Sequence, residues 1–324
     1  MINPSKLIPL GKLKRLLFIA LLVGSLFAQI TTTKVIKGKE ISIEPYDSTL
    51  NFLEKDVYNY IGQELYLKGK SENLREYGYK DFVKNYKKRT SSKRNIYKCC
   101  DNYNSKYDEL AGKYFSVVAV HKDPSVEESD YLSTFYYFLE LKEKDSDDKV
   151  YYKYDSKYEH KFPFIVVGYF LKQKQLYIDK EFVVRGKNWM SRDKPMYDMH
   201  TGQPVSFDIG SRWKCIDLTI EEEYFTLSLI LQNEKGENIP CSIKRANTKY
   251  WIFYAEDADR YKEEFGEKIW DTILKGNVLI GFTEEMVELS WGKPEKINRA
   301  SYGDQWVYNG QYLYFKNGKL ESFN

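Results

Sequence analysis

The stretch Tyr197-Asp-Met-His200 holds the best acid–base pairing in a chain with only 3 histidines. A carboxylate and an imidazole this close can shuttle a proton only if a nucleophile stands within hydrogen-bond reach of one of them. None is recognisable. The chain has no G-x-S-x-G, no H-E-x-x-H and no glycine-rich loop of the form G-x-x-x-x-G-K-[S/T]. Asp198 and His200 are therefore expected as a surface pair on a linker, and no catalytic residues are expected.

The other reactive types are equally dispersed. His121, His160 and His200 lie far apart and no C-x-x-C accompanies them, so no structural zinc and no other metal site is expected. Asp145, Asp147 and Asp148 crowd one segment, "KDSDDK", whose place is that of a hairpin turn rather than a calcium loop. Of the 4 cysteines, the adjacent Cys99 and Cys100 could bond only through a strained vicinal ring. Cys215 and Cys241, on the first and third strands of one β-unit, are the better-placed pair. No cofactor is expected.

Charge bounds the partners. Lys6, Lys12, Lys14 and Arg15 precede an apolar run at 16–27, with the small Ala28 after it. That is the pattern of a secretory signal peptide over 1–28, too short for the roughly 20 apolar residues of a membrane span. The mature chain is expected to begin at Gln29, outside the cytoplasm, with no transmembrane span. Of 50 Lys+Arg, 4 leave with the signal, so 46 face 47 Asp+Glu. A nucleic-acid partner needs a basic excess that this balance lacks. The one basic cluster, "YKKRTSSKR" at 86–94, reads as a solvated loop.

The elements that must position all this are strands. "GKYFSVVAV", "FLELKEKDSDDKV", "FPFIVVGYF" and "DKEFVVRG", over 112–186, recur as "GSRWKCIDL", "LSLILQNEKGENI", "YWIFYAEDA" and "EKIWDTILKG", over 210–276. After the first loop the offset stays near 89 residues. A glycine, an aromatic-bearing strand, an alternating strand, a polar turn and a return strand make an antiparallel meander. The reading is mainly β. An N-terminal segment at 29–105 holds a degenerate further unit, unit one spans 106–186, a Pro- and Gly-broken linker 187–206, unit two 207–265, and a small α+β domain 266–324. "YKEEFGEKIWDTILKG" suits a helix by pattern and in part a strand by repeat alignment, and both stay open.

The last stretch is the most regular. Thr283 is a helix N-cap by type, with Glu284 and Glu285 in the first turn, and Gly292 and Pro294 end the helix. Asn309-Gly310 and Asn317-Gly318 are two-residue hairpin turns. They set Val307 opposite Tyr312, Trp306 opposite Leu313, Phe315 opposite Leu320 and Tyr312 opposite Phe323. One face, Trp306, Leu313, Phe315 and Leu320, is expected to be buried on the helices. The other, Val307, Tyr312, Tyr314 and Phe323, either docks onto the preceding β-unit or binds a partner.

"LIGFTEEMVELSWGKP", "QWVY" and "YLYFKNGKL" resemble the carboxy-terminal domain of the SmpA/OmlA (BamE-like) outer-membrane assembly lipoproteins. The likeness covers about the last 55 residues. It implies a binding domain of the cell envelope, a layer arrangement shared with proteinaceous β-lactamase inhibitors. Those lipoproteins are acylated on a cysteine just after the signal, whereas Gln29 follows Ala28 here, which implies no lipid anchor. The two β-units resemble small bacterial barrels of the Src-homology-three type in strand order and length. The expectation is an exported, non-enzymatic protein-binding or scaffold module whose partner is an envelope protein or cell-wall component. The alternatives are an envelope glycan-binding protein and a hydrolase with an unrecognised site.

Overall fold

Strand-forming residues in alternation, punctuated by left-handed glycines, build three antiparallel sheets and a two-stranded ribbon in the computed structural model of the chain, which is mainly β. The structure describes residues 46–126, 131–146, 148–185, 196–221, 226–247, 252–301 and 303–324. The expected signal segment, Asp147 and half of the expected linker lie outside them. Residues 44–324 form one compact unit. Among the described residues no helix is long and apolar enough to cross a membrane.

In chain order the strands are β1 (Glu64–Leu67), β2 (Phe82–Val83), β3 (Cys99–Asp101), β4 (Asn104–Ser105), β5 (Tyr114–Lys122), β6 (Tyr136–Glu143), β7 (Lys149–Asp155) and β8 (Phe164–Val166). After the helix Val167–Tyr177 come β9 (Glu181–Val184), β10 (Arg212–Glu221), β11 (Thr226–Gln232), β12 (Asn238–Ser242) and β13 (Ile252–Tyr254). Helices Ala255–Phe265, Glu267–Leu274 and Glu284–Trp291 follow, then β14 (Lys296–Ala300), β15 (Gly303–Tyr308), β16 (Gln311–Lys316) and β17 (Lys319–Phe323).

The first sheet runs β2-β7-β6-β5-β1-β8 and the second β12-β11-β10-β9-β13. Apart from the added β2, the two share one strand order, and the likeness reaches single hydrogen bonds. Gly112 N–H donates to Leu67 O at 3.0 Å as Gly210 N–H does to Val184 O at 2.9 Å. Val117 N–H reaches Gln63 O at 3.0 Å as Cys215 N–H reaches Lys180 O at 2.8 Å. Both β5 and β10 carry a bulge at the same point, and the bulged Val118 and Ile216 turn out to solvent. Their neighbours Phe115 and Trp213 fill the two cores. Gly112 and Gly210, at φ 75° and 86°, open these strands in the left-handed region where a side chain is strained.

These pairings correct the expected boundaries. Glu181–Val184, grouped above with unit one, pairs with β10 and β13 and is the first strand of the second sheet. The first sheet likewise begins at β1, inside the expected N-terminal segment, so "ELYLKGK" matches "EFVVRGK". "EKIWDTILKG" is helical, not the counterpart of "DKEFVVRG", because Trp270, Ile273 and Leu274 recur at helical spacing and bury one face.

The cysteine pairing is corrected too. Cys215 and Cys241 are both buried, and no disulfide joins them to each other. They pair with Leu231 and Leu229 from opposite sides of β11, and a whole strand between them puts their backbones about 10 Å apart, beyond disulfide reach. Cys99 and Cys100 are instead joined to each other.

Candidate functional site

The C-terminal sheet, β14-β15-β16-β17, is covered on one side and open on the other. Thr283 caps the helix Glu284–Trp291, its hydroxyl accepting from Met286 N–H at 3.2 Å. Gly292 ends that helix at φ 83°. This fixes Val287 and Leu289 against Trp306, Leu313, Phe315 and Leu320, all nearly fully buried in the third core with Trp270, Ile273 and Leu274. The core also takes in Val183 and Phe253 of the second sheet, so the three helices bridge the two sheets.

Both Asn-Gly turns have positive φ at the two central residues, as the twist of a tight hairpin demands. Trp306 faces Leu313, Val307 faces Tyr312, and Phe315 faces Leu320, as the turns dictate. Beyond Leu320 the register changes. Tyr314 pairs with Ser322 while Phe315 pairs with Leu320, leaving Glu321 as an extra, bulged residue. Phe323 therefore pairs with Leu313 rather than Tyr312, whose partner is Asn324 through N–H···O bonds of 3.1 and 3.4 Å. One inserted residue turns every later side chain over, so Phe323 shares a face with Leu313 and leaves the group of Val307, Tyr312 and Tyr314.

The open face is more polar than its aromatic letters imply. Tyr312 and Tyr314 are 38% and 39% exposed, and Val307 is half-buried between strands. Asn298 donates its amide to Gln305 Oε1 at 2.9 Å, and Gln305 donates to the Tyr314 hydroxyl at 3.1 Å, a hydrogen-bonded row across β14, β15 and β16. Lys296, Lys316 and Lys319 stand exposed on the same face by register, and none forms an ion pair among the described residues. Asn298 and Gln305 escaped the sequence reading because polar residues between aromatics look like ordinary alternation. Only the register of β14, which no Asn-Gly turn fixes, brings them into the row.

The Asp198–His200 pair resolves differently from expectation. Asp198 is buried, not a surface residue, and His200 is exposed. The Asp198 carboxylate accepts from Asn238 N–H at 2.6 Å, Thr201 N–H at 2.7 Å, the Thr201 hydroxyl at 2.8 Å and His200 N–H at 3.1 Å. These donors, led by Asn238 N–H, hold its pKa down at about 2. A carboxylate saturated in this way is an anchor, fastening the described part of the linker to β12. The basic loop at 86–94 is also internally tied, since the buried Asn95 amide donates to the carbonyls of Asn85, Lys88 and Arg89.

No family model, curated protein or solved structure matches this chain.

Proposed function

We propose that the protein is an exported, non-enzymatic protein-binding module of the cell envelope and that the open face of its C-terminal sheet is the contact surface. The observation that carries this reading is the exposure of Tyr312 and Tyr314 on a sheet whose opposite face buries Trp306, Leu313, Phe315 and Leu320. Tyrosines held by strands give large, rigid contact area at small entropic cost, each with a polar tip that can face a partner. The three lysines on that face, which form no ion pair among the described residues, suit a partner whose rim is acidic.

The lysines favour a protein over a glycan, for which an aromatic groove with carboxylate neighbours would be the better receptor. The resemblance of the closing residues to BamE-like envelope proteins supports this reading, as does the resemblance of the tandem β-units to small barrels of the Src-homology-three type. A paired substitution tests it. Tyr312→Ala with Tyr314→Ala is expected to abolish partner capture in the envelope fraction while shifting stability by less than about 0.5 kcal/mol, the range of ordinary surface changes. Unchanged capture by the stable double variant would remove this face from the function.

A further inference from the structure

The first β-unit contains a cleft of about 420 Å³ that neither the repeat nor the C-terminal sheet explains. Lys68 and Lys70 leave the end of β1 into it, Lys80 enters just ahead of β2, and Lys161 comes from the turn before β8. Buried Tyr79, Tyr152 and Phe162 form its floor, and Tyr77, 43% exposed, stands at its mouth beside Leu74. Among the lining residues the one carboxylate is that of Asp81, on a residue held at φ 71° where a side chain is strained.

We propose that this cleft binds a small organic oxyanion, its charged group held by Lys70 and Lys80 and its apolar ring or chain laid against Tyr77 and Leu74. The cations are stored at a cost. Burial lowers the pKa of Lys70, and the charge of Lys80 lowers it further, so an anion between them relieves both effects. Lys161 is already committed to Asp155 at 2.7 Å, whereas Lys80 is exposed and forms no ion pair among the described residues. The Lys70 ammonium lies 5.0 Å from the Tyr79 ring centroid and donates to Gly78 O, which holds it at the cleft wall.

The repeat offers an independent precedent. Lys68 matches Arg185, each following the first strand of its sheet, and the Arg185 guanidinium is bound by oxygen acceptors, the carbonyls of Ile273 and Ser290. This corner of the unit is thus one at which the fold brings a cation to oxygen. The cleft exceeds what a bare phosphate needs, and its aromatic floor asks for an apolar body.

The test is a fluorescence titration of the full chain with 8-anilinonaphthalene-1-sulfonate, an aromatic sulfonate, at neutral pH and low salt. One saturable site is expected, weakened about tenfold or more by Lys80→Gln, the loss of one charge-assisted contact. Lys70→Gln is expected to act alike, and Lys93→Gln, outside the cleft, to leave binding unchanged. Benzoate should displace the probe at concentrations where inorganic phosphate does not. Because Lys80 is exposed, its substitution leaves the fold intact, which an unchanged thermal midpoint verifies. No saturable site, binding indifferent to Lys80→Gln, or displacement by phosphate as effective as by benzoate would overturn the proposal.

Discussion

Replacing Arg185 by Met should loosen the C-terminal helices more than any other part of the molecule. Arg185 is 4% exposed, with its guanidinium donating to Ile273 O at 3.3 Å and to Ser290 O, and stacked 5.2 Å from the Phe253 ring centroid. Ile273 and Ser290 lie in the last turns of helices Glu267–Leu274 and Glu284–Trp291, where carbonyl oxygens carry the negative end of the helix dipole. One cation thus gathers two helix ends onto the second sheet. Hydrogen bonds to a charged group contribute about 1.5–3 kcal/mol each, with the long bond to Ile273 at or below the lower limit. Methionine preserves most of the stem's packing, so the cavity contribution is small. The sum is a loss of about 3 kcal/mol. Amide hydrogen exchange should report it as roughly a hundredfold faster opening of residues 267–274 and 284–291, with β5, β6 and β7 unchanged. Lysine at this position keeps the charge but not the fork, and should recover only part of the protection. Exchange in the two helices altered less than about threefold would refute the view that Arg185 is what joins them to the sheet.

Three further outcomes follow from single groups. Burial, reinforced by Lys244 and opposed by Glu159, lowers the Lys68 pKa from 10.5 to about 8. Between those values the unfolded chain binds a proton that the folded chain has released, so stability rises with pH through this window. Lys68→Met should flatten that rise and stabilise the protein at neutral pH by about 3 kcal/mol, measured by urea unfolding across pH 7–10. Asp198 behaves oppositely: its folded pKa of about 2 lies below the ordinary 3.8, so its contribution is present above about pH 4 and is lost as pH falls through 2. The difference in thermal midpoint between the native chain and Asp198→Asn should shrink over that range. Leu313→Ala, at a position with no exposed surface, should cost about 2–5 kcal/mol in urea unfolding, whereas Lys316→Ala across the same strand should cost almost nothing.

What was legible in the sequence followed from local rules. Two-residue Asn-Gly loops fixed the pairing of Trp306 with Leu313 and of Phe315 with Leu320, because such turns admit one register. The cap at Thr283 and the stop at Gly292 were legible because capping depends on neighbours only. The repeat was visible in its glycines and aromatics, but its starting point was not. β1 and β9 pair with strands far along the chain, β8 and β13 among them, and nothing local assigns such an interior strand to one sheet or the other. The Glu321 bulge was illegible for the same reason. It depends on which residue satisfies the backbone of Tyr312 at the end of the hairpin, and that decision moved Phe323 off the candidate face. The lysine cleft joins residues 68–81 to residues 152–163, a convergence made by the closure of β8 onto β1 rather than by any motif.

The most direct test of the open sheet face as a contact surface is site-specific photo-crosslinking in intact cells, with a photoreactive phenylalanine analogue replacing Tyr314. The account predicts one discrete protein adduct, diminished by Lys316→Glu and by Tyr312→Ala, and absent when the same analogue replaces Tyr103, an exposed tyrosine remote in sequence on the β3–β4 turn. An equal spread of adducts from positions 314 and 103, or no adduct at 314 in a stably folded variant, would contradict it.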